Sequence, residues 1–195
     1  SRLERALAHV SWEAIFVDDD SFDGTAERLR QIAREDCRVR LLQRLGRRGL
    51  STAFIEGALA SSAPYIAMMD ADLQHEESLL PDMLGALKSK PLDLVVGSRY
   101  LEGGGLGNWQ RRRIAISRFA TRLSRLIVRQ EISDPMSGFF MIRREAFERA
   151  MRRLSGQGFK ILLDLFASSP EPLRFEERPY VFRERSSGTS KLDSN

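Results

Sequence analysis

Cysteine is almost absent: Cys37 is the only one in 195 residues. No disulfide can close within the chain, which fits a reducing compartment. Long apolar runs are missing as well. The longest, such as Ile161–Ala167, fall far short of the ~20 residues that span a bilayer, and no signal-peptide pattern is visible. A membrane anchor would have to lie outside these residues. Aromatic residues make up only 8% of the chain, and they form no stacking platform among the basic residues, which counts against a nucleic-acid-binding protein. There are no internal repeats and no low-complexity segments.

What is present is an ordinary globular composition, 42% hydrophobic and 30% charged, with length enough for one domain with a real core. The net charge of +4 and pI near 9.6 give a mildly basic surface. Such a surface suits phosphate-bearing partners of any kind. Both ends look cut: Ser1 starts abruptly on a helical pattern, and Lys191–Asn195 stops without a closing element.

Short apolar segments rich in β-branched or aromatic residues read as strands: Trp12–Asp18, Val39–Gln43, Tyr65–Asp70, Leu92–Gly97, Gly138–Ile142 and Arg174–Phe182. The first four lack polar alternation, so burial on both faces is expected. Helical patterns fall between them at Thr25–Glu35, Leu50–Ala60 and Leu79–Lys88. The alternation implies an α/β fold with a mostly parallel, doubly wound sheet. Ligands in such sheets bind beyond the carboxyl ends of the strands. Gly103–Gly107 reads as a loop, and a long helix is expected from about Asn108 to Arg129. The tail after Pro179 reads as polar loop.

Two acidic clusters sit at strand ends. Asp70-Ala71-Asp72 follows Tyr65–Met69, and its carboxylates point the same way if the strand stays extended. Hard divalent cations such as Mg²⁺ or Mn²⁺ take oxygen ligands of this kind, and Gln74 repeats the spacing with an amide oxygen. A solvated, aspartate-rich turn gives the same pattern. At the second cluster, Asp18-Asp19-Asp20, a carboxylate can accept from a nucleobase N–H or ribose hydroxyls. Asp18 and Asp19 are the functional candidates there, while Asp23-Gly24-Thr25 supplies a turn and cap for the next helix.

Gly46-Arg-Arg-Gly49 opens a helix, either as an anion-binding turn or as a basic surface turn with a helix cap; the second is favoured from the residues alone. The arginines of the helix over 111–129 either face an anionic membrane or form a solvated face. His75 reads as a surface or helix-capping residue. Cys37 reads as a small buried or half-buried one.

Taken together, VDDDSFDGT, GLSTA, YIAMMDADLQH, VVGSRY, RRRIAISRFA, SDPMSGFFMIRR, GFKILLDL and ERSSGTSKL resemble the polyprenol-phosphate glycosyltransferases of glycosyltransferase family 2, which have the GT-A fold. The order of DADLQH, GSRY, SGF and SKL is the specific part. The resemblance implies one catalytic domain over 1–195, truncated at its N-terminus and open at its C-terminus. It implies inverting transfer of a hexose, with mannose from GDP-mannose the best guess and UDP-glucose or another donor the alternative. The acceptor would be a polyprenyl or dolichyl phosphate. Asp70, Asp72 and Gln74 would bind Mg²⁺ or Mn²⁺. Val17, Asp19, Asp70, Ala71, Asp72, Arg99, Arg185 and Lys191 would bind the nucleotide-sugar, with Asp72, Arg99 and Arg185 closest to the chemistry. Arg113, Ser117 and Lys160 would meet the acceptor phosphate. The location implied is the cytoplasmic face of a membrane, peripheral or anchored by other segments.

Three departures stand out. The family's first strand, with its P-x-Y-N-E-type motif, has no counterpart here. Glu76-Glu77 stands where prolines are frequent, and Asp20 where glycine is usual. Two other classes remain: a receiver-like Mg²⁺-binding signalling module, which would not need the SGF and SKL segments, and a basic nucleic-acid-binding protein, whose affinity would fall steeply with salt.

Overall fold

The fold was obtained as a computed structural model and is described for residues 2–105, 131–156 and 160–183. Its strands are β1 (Ala14–Asp18), β2 (Val39–Gln43), β3 (Tyr65–Met68), β4 (Leu94–Ser98), β5 (Phe140–Arg143) and β6 (Phe175–Pro179). The helices are α1 (Arg2–Ala6), α2 (Thr25–Glu35), α3 (Leu50–Leu59), α4 (Leu80–Ser89), α5 (Arg144–Met151) and α6 (Ile161–Ser168), with a 3₁₀ turn at Glu77–Leu79. The helix expected from about Asn108 to Arg129 lies outside the described residues.

Local chemistry sets these elements. Before α2, the Asp23 carboxylate accepts both the Thr25 N–H and its hydroxyl, while Gly24 takes a left-handed φ of 83° at little steric cost. Ala26 and Leu29 form the buried side of this helix. Helix α4 carries Pro81 in its first turn, where a missing N–H costs nothing.

β1 and β2 pair in parallel as a two-stranded sheet, and the other four strands form a second sheet in the order β3-β5-β4-β6. β5 runs antiparallel to both β3 and β4, and β4 pairs with β6 in parallel. β3, β4 and β6 therefore end at one edge of the sheet, and β5 begins there.

The sheet divides the core by its period of two. Leu94, Val96, Phe140 and Ile142 face one cluster with Phe54, Phe147, Ile161 and Leu165 from α3, α5 and α6. Val95, Phe139 and Met141 face a second cluster with Met83 and Leu87 of α4. Phe54 packs on Phe140 and Phe147 at centroid distances of 5.3 and 5.7 Å.

Burial on both faces holds for β4, all five of whose residues are buried. It fails for β1 and β2, which are mostly half-buried, and for β3, where Ala67 is exposed. Helices α2 and α3 pack on the two-stranded sheet of β1 and β2, yet most of its residues stay half-buried. Cys37 is exposed, not buried, because it lies in the turn between α2 and β2. The tail beyond Pro179 is not simply polar loop either: Tyr180 and Phe182 are buried in the second cluster.

Candidate active site

Strand direction assembles the site. Asp70 follows β3, Arg99 follows β4, Tyr180 follows β6, and Ser137 and Gly138 lead into β5. All stand at the same edge of the four-stranded sheet.

The acidic turn is shaped by backbone geometry. The Asp72 carboxylate accepts the Gln74 N–H at 3.2 Å, and Leu73 between them has φ 64°, a left-handed value that leucine rarely takes. Asp70 keeps 41% of its side chain exposed. It lies so close to Gly138 that a Cβ on that glycine would sit 3.2 Å from Oδ2. Gln74 is joined to the start of the tail in both directions: its amide nitrogen donates to the Arg183 carbonyl at 3.0 Å, and the Arg183 N–H donates to the Gln74 carbonyl at 2.9 Å. That leaves the amide oxygen as the end of Gln74 not used by this contact. Arg183 also pairs with Glu77 at 2.9 Å.

His75 is not a surface or capping residue. It is buried at 3% exposure, with Nδ1 3.0 Å from the Tyr180 hydroxyl and Nε2 3.4 Å from Oδ2 of Asp70. The rings of Phe139, Tyr180 and Phe182 surround it at 5.1–5.6 Å. The apolar side of the site holds a residue whose sequence neighbours are polar.

Arg99 is fixed by a buried acid. Its Nε and Nη2 donate to the two oxygens of Asp134 at 2.7 and 2.9 Å, and Asp134 is fully buried. Burial alone would lower the Arg99 pKa, but the Asp134 carboxylate outweighs this and raises it. The guanidinium also lies 5.6 Å from the Phe182 ring, a cation–π distance. Behind it, Glu177 accepts from the Ser133 and Asp134 backbone N–H groups and from the Ser133 hydroxyl. Ser137 donates to the Gly97 carbonyl at 2.7 Å and accepts the Phe139 N–H, which secures the turn leading into Gly138.

A second constellation surrounds the end of β1. Asp18 is buried and accepts the Ser21 N–H. Asp19 accepts from Arg44 and from the Gly49 N–H, at 2.9 and 2.8 Å. Gly46-Arg-Arg-Gly49 is thus a helix-capping turn, with the cap supplied by Asp19 from another loop. Asp20 takes φ 61°, the left-handed conformation for which glycine is the usual choice. Val17 is half-buried beside α3 and Ala71 is exposed in the acidic turn. Lys160 is exposed just before α6.

The structure therefore gathers Asp70, Asp72, Gln74 and Arg99 at one sheet edge and puts Val17 and Asp19 at the end of β1. Arg113, Ser117, Arg185 and Lys191 lie outside the described residues. The sequence reading missed Arg44, Asp134, Glu177 and Tyr180. Only Tyr180 carried a signal, as an aromatic residue at a strand end.

The donor atoms near Asp70 suit a hard cation, since Asp70, Asp72 and the Gln74 amide all offer oxygen. Among the described residues no three His, Cys, Asp or Glu side chains converge as a preformed metal cage. No described helix is long and apolar enough to cross a membrane.

Residues 2–150 match the family model for glycosyl transferase family 2. The chain is 36% identical to a dolichol-phosphate mannosyltransferase of Pyrococcus furiosus over 98% of its own length. It is 38% identical to that of Saccharomyces cerevisiae over 92%, and 39% identical to that of Mycosarcoma maydis over 99%. It spans 54%, 68% and 67% of these relatives' lengths. Among solved structures, it resembles glucosyl-3-phosphoglycerate synthase of Mycobacterium tuberculosis in complex with Mn²⁺, UDP-glucose and phosphoglyceric acid. The TM-score is 0.65 at 18% identity, covering 98% of this chain and 68% of that one. A likeness at that identity carries the fold alone.

Proposed function

Because this chain belongs to glycosyltransferase family 2, we propose that it transfers mannose from GDP-mannose to dolichyl or another polyprenyl phosphate, inverting the anomeric carbon. One observation carries the reading: relatives named dolichol-phosphate mannosyltransferase match at 36–39% identity over 92–99% of the chain. The edge geometry supports it, with two carboxylates and an anchored arginine where three strand ends meet.

In the transfer, an acceptor-phosphate oxygen bonds to the anomeric carbon as the bond from that carbon to the donor diphosphate breaks. The nucleoside diphosphate departs with the electron pair. The acceptor phosphate is anionic at neutral pH, so little base catalysis is required. The barrier lies in positioning two phosphates near each other and stabilising the charge that leaves.

Asp70, Asp72 and the Gln74 amide oxygen are the groups to hold Mg²⁺ or Mn²⁺, which when bound offsets the negative charge of the diphosphate. Two carboxylates suffice, because such cations complete their shells with substrate phosphate oxygens and water. In the Mycobacterium tuberculosis complex Mn²⁺ accompanies UDP-glucose; here the divalent requirement rests on the oxygen donors of Asp70, Asp72 and Gln74. Arg99, held by Asp134, sets positive charge at the edge before the donor arrives. Arg185 and Lys191 complete the diphosphate grip, and Val17, Asp19 and Ala71 line the nucleotide pocket. Arg113, Ser117 and Lys160 receive the acceptor phosphate.

The acceptor's lipid tail puts the chain at a membrane surface, on its cytoplasmic face, peripheral or anchored by segments outside these residues. Flotation with anionic but not neutral liposomes is the expected behaviour. The reaction is tested by incubating the full-length protein with a panel of GDP- and UDP-sugars, a polyprenyl phosphate and Mn²⁺. GDP-mannose should give the lipid-linked product. Product only from UDP-glucose would change the donor, and no lipid-linked product from any donor would overturn the reading.

A further inference from the structure

We infer that His75 is a positioning residue: it fixes the Asp70 carboxylate from the buried side so that the cation site is oriented before a cation arrives. The inference rests on the metal-binding role proposed above for Asp70, and extends it to a residue with no direct part in that role.

The geometry is specific. The imidazole is 3% exposed and enclosed by three aromatic rings. A buried polar ring is costly unless its nitrogens find partners. Here the partners are the Tyr180 hydroxyl on Nδ1, at 3.0 Å, and Oδ2 of Asp70 on Nε2, at 3.4 Å. A carboxylate only accepts, so contact with Asp70 requires the proton on Nε2. Nδ1 then accepts from Tyr180, and a neutral ring satisfies both contacts in one tautomer.

The consequence falls on Asp70. Gly138 leaves room for the carboxylate, since a Cβ there would come within 3.2 Å of Oδ2. The His75 N–H tethers the same oxygen, yet 41% of the Asp70 side chain stays exposed. A free aspartate at a strand end samples several rotamers and loses that freedom on binding a ligand. One held in place has already lost it. Partners that orient a ligating side chain are worth roughly 10- to 100-fold in metal affinity.

A purely structural role for His75 would be to fill space among the aromatic rings. His75→Phe keeps that packing and removes the N–H, whereas His75→Gln restores a donor at similar reach. The probe is Mn²⁺, titrated by electron paramagnetic resonance into full-length protein with saturating GDP. His75→Phe should weaken Mn²⁺ binding roughly tenfold, with some loss of metal-free melting temperature because the buried Tyr180 hydroxyl loses its ring partner. His75→Gln should recover most of the loss, and Tyr180→Phe should fall between.

Independently, ¹⁵N NMR of the metal-free wild type should find His75 protonated on Nε2. Wild-type Mn²⁺ affinity in folded His75→Phe, or a proton on Nδ1, overturns the inference. If His75→Phe does not fold, His75→Gln and the wild-type tautomer still decide it. Asp72→Asn separates the two levels. Should it also bind Mn²⁺ like the wild type, the metal assignment itself is wrong; should it lose binding while His75→Phe does not, only the positioning role falls.

Discussion

Arg44 and Asp19 meet across two loops: Nη1 of Arg44, just beyond β2, lies 2.9 Å from Oδ1 of Asp19, just beyond β1. The arginine is 2% exposed and also donates to the Gly49 carbonyl and the Thr52 hydroxyl. The other oxygen of Asp19 takes the Gly49 N–H at the start of α3. One carboxylate thus closes the strand end, neutralises a buried cation and caps a helix. A carboxylate has about four lone-pair sites, so these bonds leave Asp19 capacity to accept from a nucleotide as well.

Replacing Arg44 by methionine should destabilise the fold by about 1–3 kcal/mol, since it removes several hydrogen bonds but leaves Asp19 and Glu56 partly solvated. GDP affinity should fall as well, since Asp19 loses its orientation. Urea unfolding and GDP titration check the two effects. Unchanged stability would mean that the pair is incidental.

Gly138→Ala tests the surroundings of Asp70 at the same oxygen that His75 contacts. The glycine is not in the left-handed region, so alanine fits its backbone and global stability should change by less than about 1 kcal/mol. The added methyl group meets the Asp70 carboxylate at 3.2 Å, and Mn²⁺ affinity should fall. A calorimetric titration reads it.

Gly97→Ala should act on the core instead. Its Cβ would come 2.8 Å from Phe139 and 3.2 Å from Tyr180, and overpacking of this kind costs about 1–3 kcal/mol. A lowered melting temperature is expected, together with a weaker His75 contact, because both rings enclose the imidazole.

Asp93 gives a pH dependence. Burial pushes its carboxyl up, but hydrogen bonds from Arg174 and Arg149 outweigh this and hold it below the ordinary value of 3.8. A group whose pKa is lower when folded stabilises the fold fully above its unfolded value. That contribution disappears as pH falls through the folded value. Asp93→Asn should therefore cost about 1–2 kcal/mol at pH 7, both arginines being partly solvated. It should also flatten the wild type's loss of stability below pH ~4. Equal slopes in wild type and variant would contradict this.

Sequence carried the architecture where local rules and tertiary structure agree. Thr25–Glu35 and Val39–Gln43 have the expected ends because a cap opens the helix and a short apolar run defines the strand. The both-faces reading failed at Ile15-Phe16-Val17 because apolar residues do not reveal how fully their neighbours cover them. Asp70 and Asp72 were legible through spacing. Their setting was not: Tyr180 lies 105 positions from His75, and Asp134 lies 35 from Arg99. Arg44 was hidden among 31 lysines and arginines, and only the folded contact distinguishes it. The acidic neighbours of His75 suggested solvent, whereas the aromatic residues that bury it, Phe139, Tyr180 and Phe182, come from just before β5 and just after β6.

The central claim is that Asp70 and Asp72 hold a divalent cation against the donor diphosphate. Thermodynamic coupling between Mn²⁺ and GDP tests it most directly, with GDP affinity measured with and without Mn²⁺ in wild type and in Asp70→Asn/Asp72→Asn. Mn²⁺ should tighten GDP binding to the wild type and leave the double variant at its metal-free affinity. Equal tightening in both proteins would contradict the account.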